Sequence, residues 1–292
     1  MCYTDTTQET IYRSLTSCKE GEEMEINKCY NEDCLDTMAK MPDNFVDLTV
    51  TSPPYDNLRV YNGYSFDFEA VAKELFRVTK KGGVVVWVVG DATIKGSESG
   101  TSFRQALFFK EIGFNLHDTM IYEKQNPMPV QLSGNRYAQC FEYMFVFSKG
   151  KPKTANLITT TTTTVKRGWR YDVDGKKKQI NGNVNEEKVI NNIFAYSVGA
   201  FGNKDDKTMH PASFPELLAF HQIKTWSNEN DLVYDCFMGS GTTAKMALLN
   251  NRKFIGSEIS EEYCKIAETR IKECGRLFFN SFQTELSNEA GT

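Results

Sequence analysis

No stretch of this 292-residue chain approaches the roughly 18 consecutive apolar residues that a membrane span requires. Its first 24 residues lack a basic start and an apolar core, so they read as a polar tail and not as a secretory signal. None of the eight cysteines stands in a CxxC pair, and the chain is long enough to need no staple; reduced thiols in a cytoplasmic setting are expected. The three histidines, at 117, 210 and 221, do not share metal-ligand spacing, so no metal is expected. Charge of neither sign dominates. The net value is -4, and any contact with nucleic acid must come from a local basic patch. With 40% hydrophobic and 25% charged residues, the composition suits one large α/β domain with an insertion, or two domains.

What is present is an alternation of strand and helix signals. FVDLTVTSPPYDN sets Val46, Leu48 and Val50 between Asp47, Thr49 and Thr51, a period-two strand that meets Ser52-Pro53-Pro54-Tyr55. Two prolines donate no backbone hydrogen bond and hold φ, so the strand ends in a stiff corner with a hydroxyl before it and a ring after it. Upstream, Glu25 to Glu32 reads as a strand ending at Asp33, and Cys34 to Met41 as a helix stopped by Pro42. Downstream, FEAVAKELFRVT puts Val71, Leu75 and Val78 on one helical face, and Lys80-Lys81-Gly82-Gly83 closes that helix before VVVWVVG. A continuous apolar run of that kind suits a strand buried on both faces of a parallel sheet. A helix over Thr101–Glu111 and strands over Leu116–Glu123 and Phe141–Phe147 continue the alternation, which indicates a doubly wound, Rossmann-like, mostly parallel sheet.

The pattern breaks from Gly150 to about Lys204, a polar block with six successive threonines (Thr159 to Thr164) and the segment KRGWRYDVDGKKK. It resumes with a helix over Pro215–Thr225, the strand LVYDCF, a glycine turn, a helix from Thr243 to Leu249, the strand KFIGSEI and a last helix capped by Ser260. The chain therefore divides into a tail at 1–24, a catalytic and cofactor-binding domain at 25–149 and 205–280, an inserted region at 150–204 and a tail at 281–292.

The turn DCFMGSGTTA follows an apolar run and opens a helix, so Gly239 and Gly241 allow close backbone approach to a ligand beside free helical N–H groups. No lysine follows the second glycine, which excludes the phosphate loop, and a third glycine is missing for a dinucleotide fingerprint. Glu258, at the tip of the next strand, is placed to take the two hydroxyls of a ribose. A cofactor with adenosine but no pyrophosphate fits these features, which points to S-adenosylmethionine.

Together the motifs resemble the amino-methylating DNA methyltransferases, over about residues 25–275. TSPPY resembles that family's catalytic tetrapeptide and DCFMGSGTT its cofactor loop. HPASFPELL resembles the segment before that loop, and NEDCLDTM the segment that reads adenine. The order, catalytic motif first and cofactor motif last, is similar to that of the β group. The resemblance implies the methyltransferase fold in circularly permuted order, with a target-recognition insert. It implies Asp235, Phe237, Gly239, Ser240, Gly241 and Thr242 around the methionine and ribose, Glu258 on the ribose and Asp33 on the adenine amine. His210, Pro211 and Pro215 would close the methionine pocket. Cys236 and Met238 depart from the family's usual residues.

The chemistry explains the corner. An exocyclic amine is a poor nucleophile while its lone pair is delocalised, and it is out of reach until the base flips from the duplex. Tyr55 offers a stacking face worth about 1–3 kcal/mol, while Ser52 Oγ and the Pro53 carbonyl accept the two amine hydrogens. Ser52, Pro53, Pro54 and Tyr55 are thus the expected catalytic set. A serine in the first position favours cytosine N4, with adenine N6 as the alternative; a catalytically dead DNA-binding relative and a methyltransferase of RNA or protein glutamine are the rival readings. Lys166, Arg167, Arg170, Lys176, Lys177 and Lys178, interleaved with Trp169 and Tyr171, form the expected contact with double-stranded DNA. Asn126 to Pro129, Arg136 and Glu142 are candidates to lie near the target pocket. A homodimer and a companion restriction endonuclease remain open, in a bacterial or phage restriction-modification setting.

Overall fold

A computed structural model describes residues 24–54, 67–125, 135–161, 168–180, 187–197 and 215–274. In chain order the elements up to the polar block are β1 (Lys28–Tyr30), α1 (Cys34–Lys40), β2 (Val46–Thr51), α2 (Phe68–Val78), β3 (Thr79–Val89), β4 (Thr93–Ile94), β5 (Ser97–Glu98), α3 (Thr101–Glu111), β6 (Asn115–Lys124) and β7 (Phe141–Ser148). There follow β8 (Thr159–Thr161), β9 (Gly168–Tyr171), β10 (Lys177–Ile180), β11 (Glu187–Val189), β12 (Ile193–Tyr196), α4 (Glu216–Trp226), β13 (Leu232–Asp235), α5 (Thr242–Leu249) and β14 (Lys253–Ser257). A final helix, α6, covers 261–274 of the described chain.

Eight strands form one sheet in the order β1-β14-β13-β2-β3-β7-β6-β12. Neighbours from β1 to β3 are all parallel, β7 is antiparallel to both β3 and β6, and β12 is parallel to β6. Every strand except β7 therefore delivers its carboxyl end to one edge. Helices cover both faces. Cys34, Leu75 and Phe109 of α1, α2 and α3 pack on one face with Val85, Trp87 and Tyr234. Leu218, Ala247 and Ala267 of α4, α5 and α6 pack on the other with Leu48, Val50 and Val233. This is the doubly wound α/β architecture expected of the sequence.

Local differences have local causes. All six residues of β2 are buried, because a central parallel strand is covered on both sides whatever its alternation. Two of its three polar members are satisfied by neighbours: Asp47 accepts from Lys80 Nζ at 2.6 Å and from the Leu232 N–H at 3.0 Å, and Thr51 bonds Asp235. Thr49 Oγ1 has no partner among the described residues. Lys80–Gly83 does not form a connecting turn; α2 runs directly into β3 at Thr79, and the irregularity is absorbed where pairing jumps from Val46↔Thr79 to Leu48↔Val84. Gly82 adopts φ +80 there, with its N–H donating to the Lys149 carbonyl. The first strand is shorter than the apolar pattern suggests, because Asn27 turns at φ +62.

Within the polar block, Thr159–Thr161 pairs with Glu187–Val189 and β9 with β10 as separate two-stranded ribbons. Ile193–Tyr196 instead joins the main sheet beside β6, so the block from 150 to 204 contributes a strand to the core as well as ribbons outside it.

Candidate active site at the carboxyl edge of the sheet

β2 and β13 are neighbours in the sheet, aligned with Val233 beside Leu48 and Tyr234 beside Thr49. Their ends therefore emerge together. Thr51, the last residue of β2, donates its hydroxyl to Asp235 Oδ1, the last residue of β13, at 2.7 Å. Ser52, Pro53 and Pro54 follow at once, with Pro53 buried and the other two half-buried. Tyr55 lies outside the described residues. On the far side Asp235 Oδ1 also accepts the Phe237 N–H at 3.1 Å, which starts the glycine turn back across the edge. Burial pushes the Asp235 carboxyl up to about 6, against the Thr51 hydroxyl and the Phe237 N–H, which hold it down.

The turn itself is shaped by close contacts. Gly239 and Gly241 sit at φ +52 and +81. A Cβ on Gly241 would come within 2.9 Å of the Ala267 Cβ on α6, so only glycine fits. Gly241 caps α5 with no side-chain bond, leaving Thr242 and its neighbours at a helix start without a side-chain cap. Ser240 is buried, and Arg270 Nη1 donates to both its carbonyl and its Oγ at 2.8 Å. The other Arg270 nitrogen pairs with Glu216 Oε1 of α4 at 2.8 Å, and Lys245 pairs with the same oxygen at 2.6 Å. The cofactor-loop candidate is thus tied to three helices.

Glu258 follows β14 directly. Its two carboxylate oxygens accept the Gly239 and Ser260 N–H groups, each at 2.8 Å. Burial raises its pKa, opposed by those N–H groups. Asn31, beyond β1, donates to the carbonyls of Glu258 and Ile259 at 2.9 and 3.1 Å. Asp33 lies on the same edge, where one carboxylate oxygen caps α1 through the Leu35 N–H at 2.8 Å. Phe237 meets the Trp87 ring edge-on at 6.3 Å, and Pro215 caps α4.

The fold thus gathers Asp33, Ser52, Pro53, Pro54, Asp235, Phe237, Gly239, Ser240, Gly241, Thr242 and Glu258 on one edge. His210, Pro211, Lys166 and Arg167 lie outside the described residues, as do the side chains of Trp169 and Arg170 in β9. Lys176, Lys177 and Lys178 are exposed on the β9–β10 ribbon, whose turn is held by Asp172 Oδ1 accepting from the Asp174 and Lys176 N–H groups at 3.1 and 2.8 Å. Arg136 bonds the Gly96 carbonyl and pairs with Glu98 on the β4–β5 hairpin. Among the described residues no cluster could hold a metal ion, and no helix is long and apolar enough to cross a membrane.

Sequence reasoning missed Arg270, Glu216 and Gly256. The first two act through partners 30 and 54 residues away, which no local pattern announces. Gly256 lies inside a strand, where a Cβ would stand 1.8 Å from Met238 Sδ. The unusual methionine of the turn is accommodated by that glycine.

The sheet order and the candidate site at its carboxyl edge define a Rossmann-like α/β fold. The family model for DNA methylases of the N6/N4 type matches residues 46–269, and the chain belongs to that family. It is similar to the orphan methyltransferase M.BamHII of Bacillus amyloliquefaciens, at 58% identity over 78% of this chain and 89% of the relative. It is also similar to the type II methyltransferase M.HinfI of Haemophilus influenzae, at 27% identity over 85% of this chain and 69% of the relative. Among solved structures, the PvuII DNA methyltransferase (cytosine-N4-specific) aligns with a TM-score of 0.65 at 22% identity, covering 83% of this chain and 85% of that one. The M1.HpyAVI–SAM complex aligns with a TM-score of 0.56 at 25% identity, covering 84% and 98%.

Proposed function

We propose that this chain methylates the N4 amine of a flipped cytosine in double-stranded DNA, using S-adenosylmethionine. The observation that carries the reading is the junction of the β2 and β13 tips, where the Thr51–Asp235 bond sets the serine-proline corner against the glycine turn. A solved structure of the same fold bears a cytosine-N4 description, and a 25%-identical one is a SAM complex, which supports the assignment.

The residues present fit the cofactor. Glu258 presents a carboxylate already polarised by two N–H groups, suited to ribose hydroxyls. After burial, the Glu258 charge also raises the proton affinity of Asp235, so the two carboxylates together favour a ligand with positive charge. The positive φ of Gly241 and its packing on Ala267 keep the turn free of side-chain bulk. When bound, S-adenosylmethionine supplies an electrophilic methyl carbon on a cationic sulfur. The chain's own work is on the base. Ser52 Oγ and the Pro53 carbonyl would accept the two N4 hydrogens, localise the nitrogen lone pair and aim it at the methyl group; the N–C bond would form as the methyl's bond to sulfur breaks, leaving a neutral thioether, and one amine proton would pass along its hydrogen bond to solvent. The prolines fix those acceptors, so little alignment is lost at the moment of transfer. Lys176 to Lys178 would engage phosphates, and binding should weaken steeply with salt. The 58%-identical relative is described as orphan, so the proposal does not require a companion endonuclease.

The test is incubation with unmethylated genomic DNA and nucleoside mass spectrometry. N4-methylcytosine is expected, and N6-methyladenine alone would move the assignment to adenine. Ser52→Ala should keep cofactor binding and lose most turnover. A wild-type chain that binds DNA but yields no methylated nucleoside would be the catalytically dead relative.

A further inference from the structure

Three strands from β2, on the same edge and face, lies an ion pair that the proposed mechanism leaves unused. Lys124 Nζ, at the carboxyl end of β6, stands 2.6 Å from Glu142 Oε1 at the start of β7, with the two side chains 23% and 14% exposed. Glu142 pairs across the strands with buried Tyr122, and the Lys124 ammonium lies 6.0 Å from that ring's centre. Burial, with the Glu142 charge second, raises the Tyr122 phenol, which stays neutral. Nearby, Tyr196 OH meets His221 Nδ1 at 2.8 Å.

The position follows from register. Trp87 sits beside Thr51 and Tyr143 beside Val89, so continuing both pairings brings Gly90 level with Pro54 and Glu142 level with Gly90. Val50, Met144 and Tyr122 share the face covered by α4 and α5. Ser52 is two residues beyond Val50 and is held extended by the proline after it, so it falls on that face as well. Lys124 and Glu142 are two residues from Tyr122 and Met144 and share it too. Two strand spacings across the sheet, about 10 Å, and two residues along it, about 7 Å, separate Ser52 from Glu142, over which the Lys124 side chain reaches back from β6. A cytosine edge with one hydrogen bond at either end spans roughly 10 Å, and the long, rotatable lysine side chain closes the remainder toward Ser52.

A half-buried ion pair adds little stability over an apolar replacement, so its presence at this edge calls for another use. Among the described residues Glu142 is the one acidic partner of Lys124, and an ammonium carries three donors. We propose that Lys124, held by Glu142, donates a hydrogen bond to the O2 carbonyl of the flipped cytosine while Ser52 and Pro53 hold its N4 amine. Adenine placed by its amine has no carbonyl at that end, so the lysine selects the pyrimidine. Tyr122 forms the floor beneath the pair. This rests on the cytosine reading above.

The test compares Lys124→Met, Glu142→Gln and the double variant for methyl transfer to unmethylated genomic DNA, cofactor binding and Tm. The double variant removes both charges and leaves none orphaned, so it should fold like the wild type. Loss of the donor should lower kcat/KM roughly 10- to 100-fold, as expected for one charged hydrogen bond, with cofactor affinity unchanged. Lys124→Arg should recover part of the rate. On the substrate side, wild-type protein should transfer several-fold more slowly to DNA made with 2-thiocytosine, whose sulfur is the weaker acceptor, and the double variant should not distinguish the two DNAs. Wild-type rates in the double variant, or equal wild-type rates on both DNAs, would overturn the assignment while N4-methylcytosine remained the product. A wild-type product of N6-methyladenine alone would overturn the cytosine reading itself.

Discussion

Thr51 Oγ1 and Asp235 Oδ1 lie 2.7 Å apart, although 184 residues separate them in the chain. The bond joins the last residue of the strand that carries the serine-proline corner to the last residue of the strand that carries the glycine turn. It fixes the distance between the two halves of the site, and with the Thr243 hydroxyl it holds the Asp235 carboxylate from its side-chain neighbours. Thr51→Val keeps the shape and removes the hydroxyl. Stability should fall by about 1–3 kcal/mol, because a buried carboxylate loses a donor. Cofactor affinity should fall with it, as read by urea denaturation and calorimetry; unchanged values for both would mean the bond is incidental.

The pH dependence has a definite sign. Asp235 titrates near 3.8 when unfolded and is pushed up to about 6 by burial in the fold. Between those values the folded chain holds a proton that the unfolded chain has released, so stability falls as pH rises through that window. Above it the full cost of the buried charge is present, on the order of 3 kcal/mol. Asp235→Asn should flatten that part of the profile and stabilise the ligand-free protein at neutral pH, while weakening cofactor binding. Urea midpoints for the two proteins from pH 4 to 7 provide the check; parallel curves would contradict it.

Met238 and Gly256 form a pair in which each residue explains the other. Gly256→Ala should destabilise by about 1–3 kcal/mol, since the added methyl meets a buried Met238 side chain. Met238→Ala in the same background removes the obstructing sulfur and should restore part of the loss. Additive penalties in the double variant would show that the two do not interact.

Arg270 clamps the main chain of the glycine turn through Ser240 and is itself anchored on Glu216. Arg270→Met should raise the cofactor Kd several-fold at a small cost in Tm, because the turn loses its strut and the core does not. A stability loss with no change in Kd would make the arginine a packing residue alone.

Much of this was legible in the sequence because parallel α/β sheets put chemistry at strand tips, and strand tips are where apolar runs give way to proline, glycine and acid. Ser52, Asp235, Gly239, Gly241 and Glu258 all stand at such breaks. Two kinds of feature were hidden. Continuity across Lys80–Gly83 was obscured because two glycines usually end an element, whereas here the strand tolerates a positive φ by bonding to Lys149. Pairings across the fold, such as Arg270 with Ser240 or Ile193–Tyr196 with β6, depend on where the backbone returns and leave no periodic trace.

The most direct measurement is a crystal structure of the chain with S-adenosylmethionine bound. The account predicts the adenosine ribose on Glu258, the methionine across the turn from Gly239 to Thr242, and the methyl carbon directed toward the space beside Ser52 Oγ and the Pro53 carbonyl. A cofactor seated on the turn with its methyl group facing away from the serine-proline corner, or bound elsewhere on the sheet, would contradict it.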